Sequence, residues 1–419
     1  MDFKYGSASV ALDLPSYFDR QVLQKDLPVS FESQEMILAE GIEQLLDQLA
    51  PRIGQQARLL LIVPDHTRRC NLPLILPLLI DALQQCFSAK IEILIANGSH
   101  AQQPEQTIID LVSPAVYARC PVHQHDAQNK DELFYFGKTS NGTEIRLNRK
   151  VTEADFVITV GGVLYHYFAG FGGGPKMLLP GVAGYETIRQ NHSLTIDRNG
   201  GFHPRCVEGN IDDNPVYCDL VQVLDFVSYA LSLQVVLAPD GRIVRCEAGE
   251  IRKTQRRLIA SVEQMYALPI ERQADVVVAS AGGFPADVNL IQAHKAIHHA
   301  FRAVKSGGCL LIAAECREGI GSQTFLPAFR HGNAAARAKA LIDDYQINSH
   351  TALTLREKAE RAHIIFLSKL DQETAARTGM LPVDSPEAAI DLLKRLSPNA
   401  RCAYLFPQAN LYLPLLSSL

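Results

Sequence analysis

Residues 59–65, LLLIVPD, and residues 72–85, LPLILPLLIDALQQ, decide the fold class of this chain of 419 residues. The first segment is a short apolar run that is typical of a buried strand, and the second has the length and apolar content of a packed helix. Similar apolar runs follow along the chain: IEILIANGSH (91–100), ADFVITVGG (154–162), ADVVVASAGG (274–283), GCLLIAAEC (308–316), HIIFLSK (363–369) and CAYLFP (402–407). Helical patterns such as AAARAKALIDDY (334–345) lie between several of them. We therefore predict an α/β fold whose mainly parallel sheets are flanked by helices.

The chain is long enough for two domains of ordinary size. Residues 254–273, TQRRLIASVEQMYALPIERQ, are polar and compatible with a helix, and they separate two blocks that each begin new strands. We predict an N-terminal domain of residues 1–265 together with 398–419, because the last strand is expected to return to it, and a C-terminal domain of residues 272–395. The active site is expected in the cleft between these domains.

Composition and charge exclude several classes of function. The 40 basic and 45 acidic residues are interspersed and give a net charge of -5, so there is no basic stripe and nucleic acid is not an expected partner. The N-terminus lacks the pattern of a secretory signal, and no apolar run approaches the roughly 20 residues that span a membrane. A cytoplasmic protein is therefore expected. Nine cysteines without a C-x-x-C pair predict reduced thiols, neither a disulfide framework nor a zinc ribbon.

The stretch FAGFGGGPKMLLPGVAG (168–184) carries a single lysine, Lys176, directly after a glycine cluster and a proline. The consecutive Gly172, Gly173 and Gly174 favour a backbone that turns sharply or approaches a ligand closely. The phosphate loop of an NTPase has the pattern G-x-x-x-x-G-K-[ST], and this stretch lacks both the glycine before the lysine and the hydroxyl after it. A plain flexible turn is the alternative at this point.

Polar clusters follow the ends of predicted strands and hold three candidates, Asp65, Arg68 and His100. Ligands of open α/β sheets bind at the carboxyl ends of the strands, so these side chains are candidates for one site. Taken singly, Asp65 could cap a helix, Arg68 could be a surface cation and His100 could be a hydrogen-bonded loop residue.

Further candidates surround the lysine or lie in the second block. His166 and His192 stand ten positions before and sixteen positions after Lys176, and each could serve as a general base or a metal ligand. Gln292 and Lys295 stand three apart, which places an amide and a cation on one helix face and suits a carboxylate-bearing substrate, with a solvated surface as the alternative. The pairs His123 with His125 and His298 with His299 lack zinc-ligand spacing and are interpreted as structural or surface residues.

Taken together, these segments resemble the lactate racemase family, whose members depend on a nickel-pincer nucleotide. The resemblance covers nearly the whole chain and rests on five segments in the family's order. They are DHTR (65–68), NGSH (97–100), HYFAGFGGGPK (166–176) with LPGVAG (179–184), NH (191–192) and QAHK (292–295).

The resemblance implies a role for each candidate residue. Lys176 would be joined through a thioamide to a pyridinium mononucleotide whose carbon and two sulfur atoms hold nickel. The resemblance places Asp65, Gly172, Gly173 and Gly174 with this cofactor, His192 as the nickel ligand, His100 and His166 as acid/base residues, and Arg68, Gln292 and Lys295 as groups that orient the substrate. It also implies cellular partners that synthesise the cofactor and insert nickel.

The implied reaction inverts Cα of a 2-hydroxy acid by reversible hydride transfer to the cofactor through a 2-oxo acid. This route avoids a carbanion beside the carboxylate. Two histidines are needed because each enantiomer places its hydroxyl differently, so one histidine is the base for one enantiomer and the other histidine for its mirror image.

Two positions depart from the family's pattern. Arg69 and Cys70 follow DHTR where the family usually has a proline, and Ile291 precedes the glutamine where tyrosine is common. A lost hydroxyl and an added cation near the substrate predict a 2-hydroxy acid that is larger or more polar than lactate. Two other functions remain open: another metal-dependent enzyme on this scaffold, and a non-catalytic homologue that only binds a nucleotide.

Overall fold

The computed structural model describes residues 1–25, 32–68, 70–329 and 334–417. Its contacts divide the chain into two compact units. Unit 1 comprises Met1–Asp26, Ile196–His203 and Tyr266–Leu419, and unit 2 comprises Leu27–Thr195 and Pro204–Met265. The change of unit at Tyr266 falls inside the segment 254–273 that separates the two predicted domains.

Strands and helices alternate along much of the described chain. The strands are β1 (Asp2–Tyr5), β2 (Ala8–Ala11), β3 (Asp19–Val22), β4 (Arg58–Pro64), β5 (Lys90–Ala96), β6 (Val122–Gln124), β7 (Leu133–Lys138), β8 (Glu144–Asn148), β9 (Phe156–Gly162), β10 (Tyr165–His166), β11 (Gly170–Phe171), β12 (Ala230–Leu237), β13 (Ile243–Gly249), β14 (Ala267–Ile270), β15 (Ala274–Ser280), β16 (Val304–Ala313), β17 (His363–Leu367), β18 (Leu381–Val383), β19 (Cys402–Phe406) and β20 (Leu413–Leu416). The α-helices are α1 (Gln34–Leu49), α2 (Leu72–Phe87), α3 (Glu105–Val112), α4 (Pro114–Tyr117), α5 (Lys150–Glu153), α6 (Tyr185–Ser193), α7 (Pro215–Leu220), α8 (Val223–Phe226), α9 (Ile251–Tyr266), α10 (Leu290–Phe301), α11 (Ala334–Asp343), α12 (Ser349–Arg361), α13 (Gln372–Arg377) and α14 (Pro386–Leu396).

The main sheet of unit 2 has the strand order β13-β12-β9-β4-β5-β6, and its neighbours are parallel except for β12 and β13. Leu59, Leu61 and Val63 of β4 join the core that is formed with α1 and α2, while Leu60 and Ile62 are equally buried on the other face. Burial on both faces is the reason why β4 is a continuous apolar run. The chain passes from β4 to β5 on one side and later returns to the other side with β9, so the strand order reverses between β4 and β9.

Unit 1 holds a second sheet, whose described strands are all parallel and follow the order β18-β17-β16-β15-β19-β3. Val276 and Val278 of β15 pack with Leu311 of β16, Ile365 of β17 and Leu393 of α14 in its core. The predicted fold class is confirmed, because each of the seven apolar runs of the sequence contains a strand and the helices predicted from 72–85 and 334–345 form as α2 and α11.

The structure corrects the predicted domain boundaries at both ends of the chain. Residues 398–419 belong with the C-terminal block, because β19 pairs with β15 and β20 pairs with β14. The first residues of the chain join the same unit, since β3 extends its sheet by pairing with β19. All four residues of β3, DRQV, are exposed, so the strand is held by backbone hydrogen bonds and has no apolar pattern to reveal it.

Two predictions from composition can be compared with the structure. All nine cysteines are free thiols and six of them are buried, as expected for reduced core cysteines. In the part of the chain that the structure describes, no helix has both the length and the apolar character needed to cross a membrane.

Candidate active site

The candidate residues of unit 2 lie at the carboxyl ends of β4, β5 and β9. Asp65 directly follows β4, and the loop from Asn97 to His100 directly follows β5. The strand order reverses between β4 and β9, and the edge at such a reversal is where ligands of open α/β sheets bind. The glycine-rich loop packs against the end of β9, where a Cβ atom at Gly161 would lie 3.3 Å from Sδ of Met177.

Asp65 and His100 form a hydrogen-bonded pair. Asp65 is 2% exposed, and its Oδ2 lies 2.5 Å from Nδ1 of His100. Its Oδ1 accepts the backbone N–H and the hydroxyl of Thr67 at 3.1 and 2.7 Å. Burial by itself raises the pKa of Asp65, but the hydrogen bond and charge of His100, together with Arg68 and Thr67, lower it to about 2.

The ionised carboxylate of Asp65 fixes the tautomer of His100. A carboxylate can only accept hydrogen bonds, so Nδ1 of His100 carries the proton and Nε2 keeps its lone pair. The His100 side chain is 39% exposed, so this lone pair is accessible to a ligand. The arrangement is that of a general base held in orientation by a buried acid.

Phe168 packs against three further candidates. The rings of His166 and His192 meet it edge-on, with centroid distances of 4.5 and 4.9 Å, and Nζ of Lys176 lies 5.3 Å from its centroid. Gly170, at φ +76°, lets β10 and β11 form the tight return that brings these side chains together. The structure therefore gathers His166, Lys176 and His192 around one aromatic ring that is itself 4% exposed.

Lys176 lies in the 3-10 helix Gly174–Met177, at the end of the glycine-rich loop. Within the described residues no carboxylate pairs with its ammonium group. The surrounding protein removes water from this group and Arg68 adds a smaller repulsion, so the pKa of Lys176 falls from 10.5 to about 7. Such a lowering gives the uncharged amine, which is the form that attacks an acyl carbon, a much larger share at neutral pH than in an exposed lysine.

His192 lies buried in α6, and Asn191 controls its orientation. Nδ1 of His192 lies 3.2 Å from Oδ1 of Asn191. The amide of Asn191 cannot flip, because its Nδ2 donates to the carbonyl of Val216 at 3.1 Å and to Asp219 at 2.9 Å. Nδ1–H of His192 therefore donates to Asn191, and Nε2 has the lone pair that a metal ligand needs. In the described part of the chain, no three His, Cys, Asp or Glu side chains come close enough together to hold a metal ion by themselves.

The glycine-rich loop is supported by two buried glutamines. Gln234 accepts the N–H of Gly174 at 2.7 Å, and Gln255 donates to the carbonyl of Gly172 at 2.9 Å. Gly173 and Gly174 have φ values of +65° and +55°, and a Cβ atom at Gly174 would lie 2.6 Å from Cδ of Gln255. Because the N–H of Gly172 also donates within the chain, at 2.7 Å, two of the three glycine N–H groups are already used and the loop is not a phosphate cradle of the NTPase kind.

His166 is held differently from His100. Its Nδ1 accepts the backbone N–H of Ala169 at 3.3 Å, which places the proton of the neutral ring on Nε2. The two histidines thus present opposite groups on Nε2, a lone pair on His100 and an N–H on His166.

Gln292 and Lys295 lie in unit 1, on α10. Asn289 caps this helix by accepting the backbone N–H of Gln292 at 3.0 Å. Nζ of Lys295 donates to Oε1 of Gln292 at 2.6 Å, so the amide and the cation share one helix face, as the spacing predicts. Arg69, the added cation after DHTR, lies outside the described residues.

The two histidine pairs of the sequence analysis have structural surroundings. His123 pairs with Glu92 at 2.9 Å, and His125 is fully buried and contacts the carbonyl of Ala183 at 2.9 Å. His298 and His299 are buried on α10. These environments agree with the interpretation of both pairs as structural or surface residues.

Sequence reasoning missed Phe168, Asn191, Gln234 and Gln255. Phe168 and Asn191 lie inside segments whose lysine and histidines are the candidates. Neither residue is charged or titratable, so the sequence gives no reason to assign it a role. A usable signal existed for Gln234, which interrupts the apolar strand ALSLQVVL (230–237) with an uncharged polar residue. A buried amide of that kind must find partners, and Gln234 finds the loop that carries Lys176.

Known proteins share the sequence pattern of this chain. The model of the lactate racemase N-terminal domain matches residues 5–202, and that of the lactate racemase C-terminal domain matches residues 270–389. A lactate racemase of Thermoanaerobacterium thermosaccharolyticum is 29% identical over 339 residues, which are 79% of this chain and 78% of the relative. A lactate racemase of Lactiplantibacillus plantarum is 29% identical over 336 residues, with 77% of each chain covered.

Solved structures share the fold. The lactate racemase apoprotein of Thermoanaerobacterium thermosaccharolyticum superposes with a TM-score of 0.87 at 25% identity, and 99% of each chain is covered. A protein of Thermotoga maritima superposes with a TM-score of 0.70 at 16% identity, covering 92% of this chain and 98% of the other, and it supports the fold alone.

Proposed function

The chain belongs to the lactate racemase family, and on that premise we propose that it inverts Cα of a 2-hydroxy acid by reversible hydride transfer with a nickel-pincer nucleotide attached to Lys176. The coarser function, a racemase and hence an isomerase, follows from the relatives. The observation that carries the finer proposal is the gathering of Lys176, His166 and His192 around Phe168, at the sheet edge where Asp65 orients His100.

The residues of unit 2 fit this cofactor. Lys176 has a lowered pKa, so its uncharged amine is available for acylation at neutral pH. His192 offers a single nitrogen with a lone pair, which suits a nickel whose other ligands come from a nucleotide. Gly172 leaves room beside the loop, because the nearest atom to a Cβ there would be 3.6 Å away. When bound at Lys176 and His192, the pincer nucleotide would supply a reversible hydride acceptor for Cα.

His100 and His166 accept and donate the proton of the substrate's hydroxyl group. For one enantiomer, Nε2 of His100 accepts the hydroxyl proton while the hydride leaves Cα, and Asp65 stabilises the imidazolium that forms. The planar 2-oxo acid then reorients, and the imidazolium form of His166 gives a proton to the new hydroxyl, which leaves its ring neutral. The opposite enantiomer reverses the two roles. Each turnover leaves one more proton on His100 and one fewer on His166, so the two rings exchange protons with solvent before the next turnover in the same direction.

Arg68, Gln292 and Lys295 are assigned to the substrate's carboxylate and hydroxyl, as the family resemblance implies. A guanidinium and an ammonium are charge-assisted donors to a carboxylate. Ile291 precedes Gln292 without the hydroxyl that is common in the family, and the proposed substrate is therefore larger or more polar than lactate. Turnover of lactate, malate, phenyllactate and an aldonate tests this choice, and lactate as clearly the best substrate would contradict it.

The cofactor proposal is tested by the intact mass and nickel content of protein from a host that makes the pincer nucleotide and inserts nickel. We expect a mass increase equal to the cofactor and one nickel per chain, with neither in Lys176→Ala. His192→Ala is a second variant, in which the mass increase should remain while nickel is reduced. An unmodified mass despite active maturation enzymes would refute the attachment to Lys176.

A further inference from the structure

Unit 1 contains a pocket of about 200 Å³ that no step of the proposed reaction uses. Helix α10 lines it with His298 and Phe301, the next residue Arg302 adds to this wall, and helix α12 lines it with Glu357, Lys358 and Arg361. A cavity of roughly 150 Å³ holds a benzene molecule, so this pocket is large enough for a small organic ligand.

The charges that line the pocket are mostly positive. Arg302, Lys358 and Arg361 bring three positive charges, and Glu357 brings one negative charge. The carboxylate of Glu357 already accepts the backbone N–H of Phe202 at 3.1 Å. The excess of positive charge is concentrated by the low-dielectric walls of a concave site.

Phe301 holds two of these cations at the pocket. Nζ of Lys358 and the guanidinium carbon of Arg361 lie 5.9 and 5.8 Å from the centroid of its ring. Within the described residues Arg361 has no ion pair with a carboxylate, and the nearby Glu360 is engaged instead with Arg337 and Arg356 at 3.0 Å each. The ring therefore places two cationic groups beside an apolar wall.

The positive potential also affects His294, which is buried one turn before His298 on α10. Burial, and then the charges of Lys358, His298 and other neighbours, hold the pKa of His294 well below its usual value. Burial disfavours a charge of either sign, whereas the positive charges that add to the shift favour an anion in this part of unit 1.

We propose that this pocket binds a small organic anion through a carboxylate or phosphate group, with Arg361 as its principal charged donor. The planar guanidinium can donate two parallel hydrogen bonds to either group, while the rings of Phe202 and Phe301 pack against the apolar part of the ligand. The carboxylate would come from a 2-hydroxy acid, and the phosphate from a phosphorylated metabolite.

The test is isothermal titration calorimetry of the full chain without cofactor, with inorganic phosphate, phenyllactate and lactate as probes. We expect saturable binding that weakens about tenfold in Arg361→Gln, the effect of losing one charge-assisted donor. Arg377→Gln removes an exposed arginine of the same unit and should bind as the wild type does. Arg68→Gln removes a proposed substrate-binding group of unit 2 and should also keep this binding, which separates the pocket from the proposed active site.

Each outcome of the titrations either supports or contradicts the proposal. Tighter binding of phenyllactate than of phosphate assigns the pocket to carboxylates, and the reverse order assigns it to phosphorylated ligands. Absence of saturable binding for every probe, or equal affinities in Arg361→Gln and Arg377→Gln, overturns the proposal. Since Arg361 is exposed, its replacement is not expected to unfold the protein, and a melting curve of the variant checks this.

Discussion

Replacing Lys176 by methionine should make the unmodified protein less sensitive to acid. The pKa of Lys176 is 10.5 in an unfolded chain and about 7 in the folded one. Between these two values the unfolded state binds a proton that the folded state does not, so the stability of the wild type rises with pH across this window. The full stability is therefore present above pH 10.5, is lost progressively as the pH falls through this window, and reaches its lowest level below about pH 7.

The size of the effect follows from the two pKa values. One pKa unit corresponds to about 1.4 kcal/mol. With a pKa lowered from 10.5 to about 7, the free energy of unfolding of the wild type should fall by about 2 to 3 kcal/mol more than that of Lys176→Met between pH 9 and pH 6. Water that reaches the partly buried ammonium reduces this figure. Lys176→Met keeps the length of the side chain and cannot be protonated, so the difference isolates the charge.

Both proteins are produced in a host that lacks the maturation enzymes, so that Lys176 is unmodified. Urea unfolding at pH 6, 7, 8 and 9 then measures the difference between their free energies of unfolding. Lys253→Met is the matched control, because that lysine belongs to the same unit and its side chain is 74% exposed. The control should follow the pH dependence of the wild type. Parallel curves for Lys176→Met and the wild type would refute the reasoning, since they would mean that the ammonium of Lys176 is fully solvated.

Three further predictions concern the neighbours of Lys176. Asp65→Asn removes the acceptor that fixes His100, so kcat of the nickel-loaded enzyme should fall about 10²- to 10⁴-fold with little change in KM, as steady-state kinetics with both enantiomers will measure. Gly174→Ala should lower the free energy of unfolding by about 2 to 4 kcal/mol in urea, because its φ is +55° and its Cβ would lie 2.6 Å from a buried amide. The control Gly172→Ala should lower it by less than about 1 kcal/mol. Asn191→Leu removes the hydrogen-bond acceptor of His192, the proposed nickel ligand. The affinity for nickel should fall about 10- to 100-fold, which metal analysis after dialysis against a chelator will measure.

The sequence predicts the fold class because the strands of both units are buried on two faces. Each such strand is a continuous apolar run, as in β4 and β9, and these runs are visible without knowledge of the pairing. Strand β3 has no such run, so its place at the edge of the unit 1 sheet depends on backbone pairing with β19 that no local pattern encodes. The same limit explains why residues 398–419 were assigned to the other domain.

The candidate site was predictable to the extent that chemistry requires charged or titratable side chains. Asp65 and His100 are far apart in the chain and meet because their strands are neighbours in a parallel sheet, a placement that follows from the rule about carboxyl ends of strands. Gln234 and Gln255 act on the backbone of the glycine-rich loop, and that role depends on a tertiary contact. Residues that position others in this way have no characteristic spacing, and they become visible only with the structure.

The proposed attachment of the cofactor would couple to the stability of unit 2 through the same lysine. The folded protein keeps the amine of Lys176 largely away from water, and this lowers stability wherever the unfolded chain would protonate it. The proposed conversion of the amine to a thioamide would remove the titratable group, and the penalty and its pH dependence would disappear with it. The rigid loop held by Gln234 and Gln255 prevents the alternative, in which the loop would simply move Lys176 into water. The loop thus presents an uncharged amine for modification at neutral pH, and the modified protein should be more stable than the unmodified one below pH 7, by an amount that the Lys176→Met comparison measures independently.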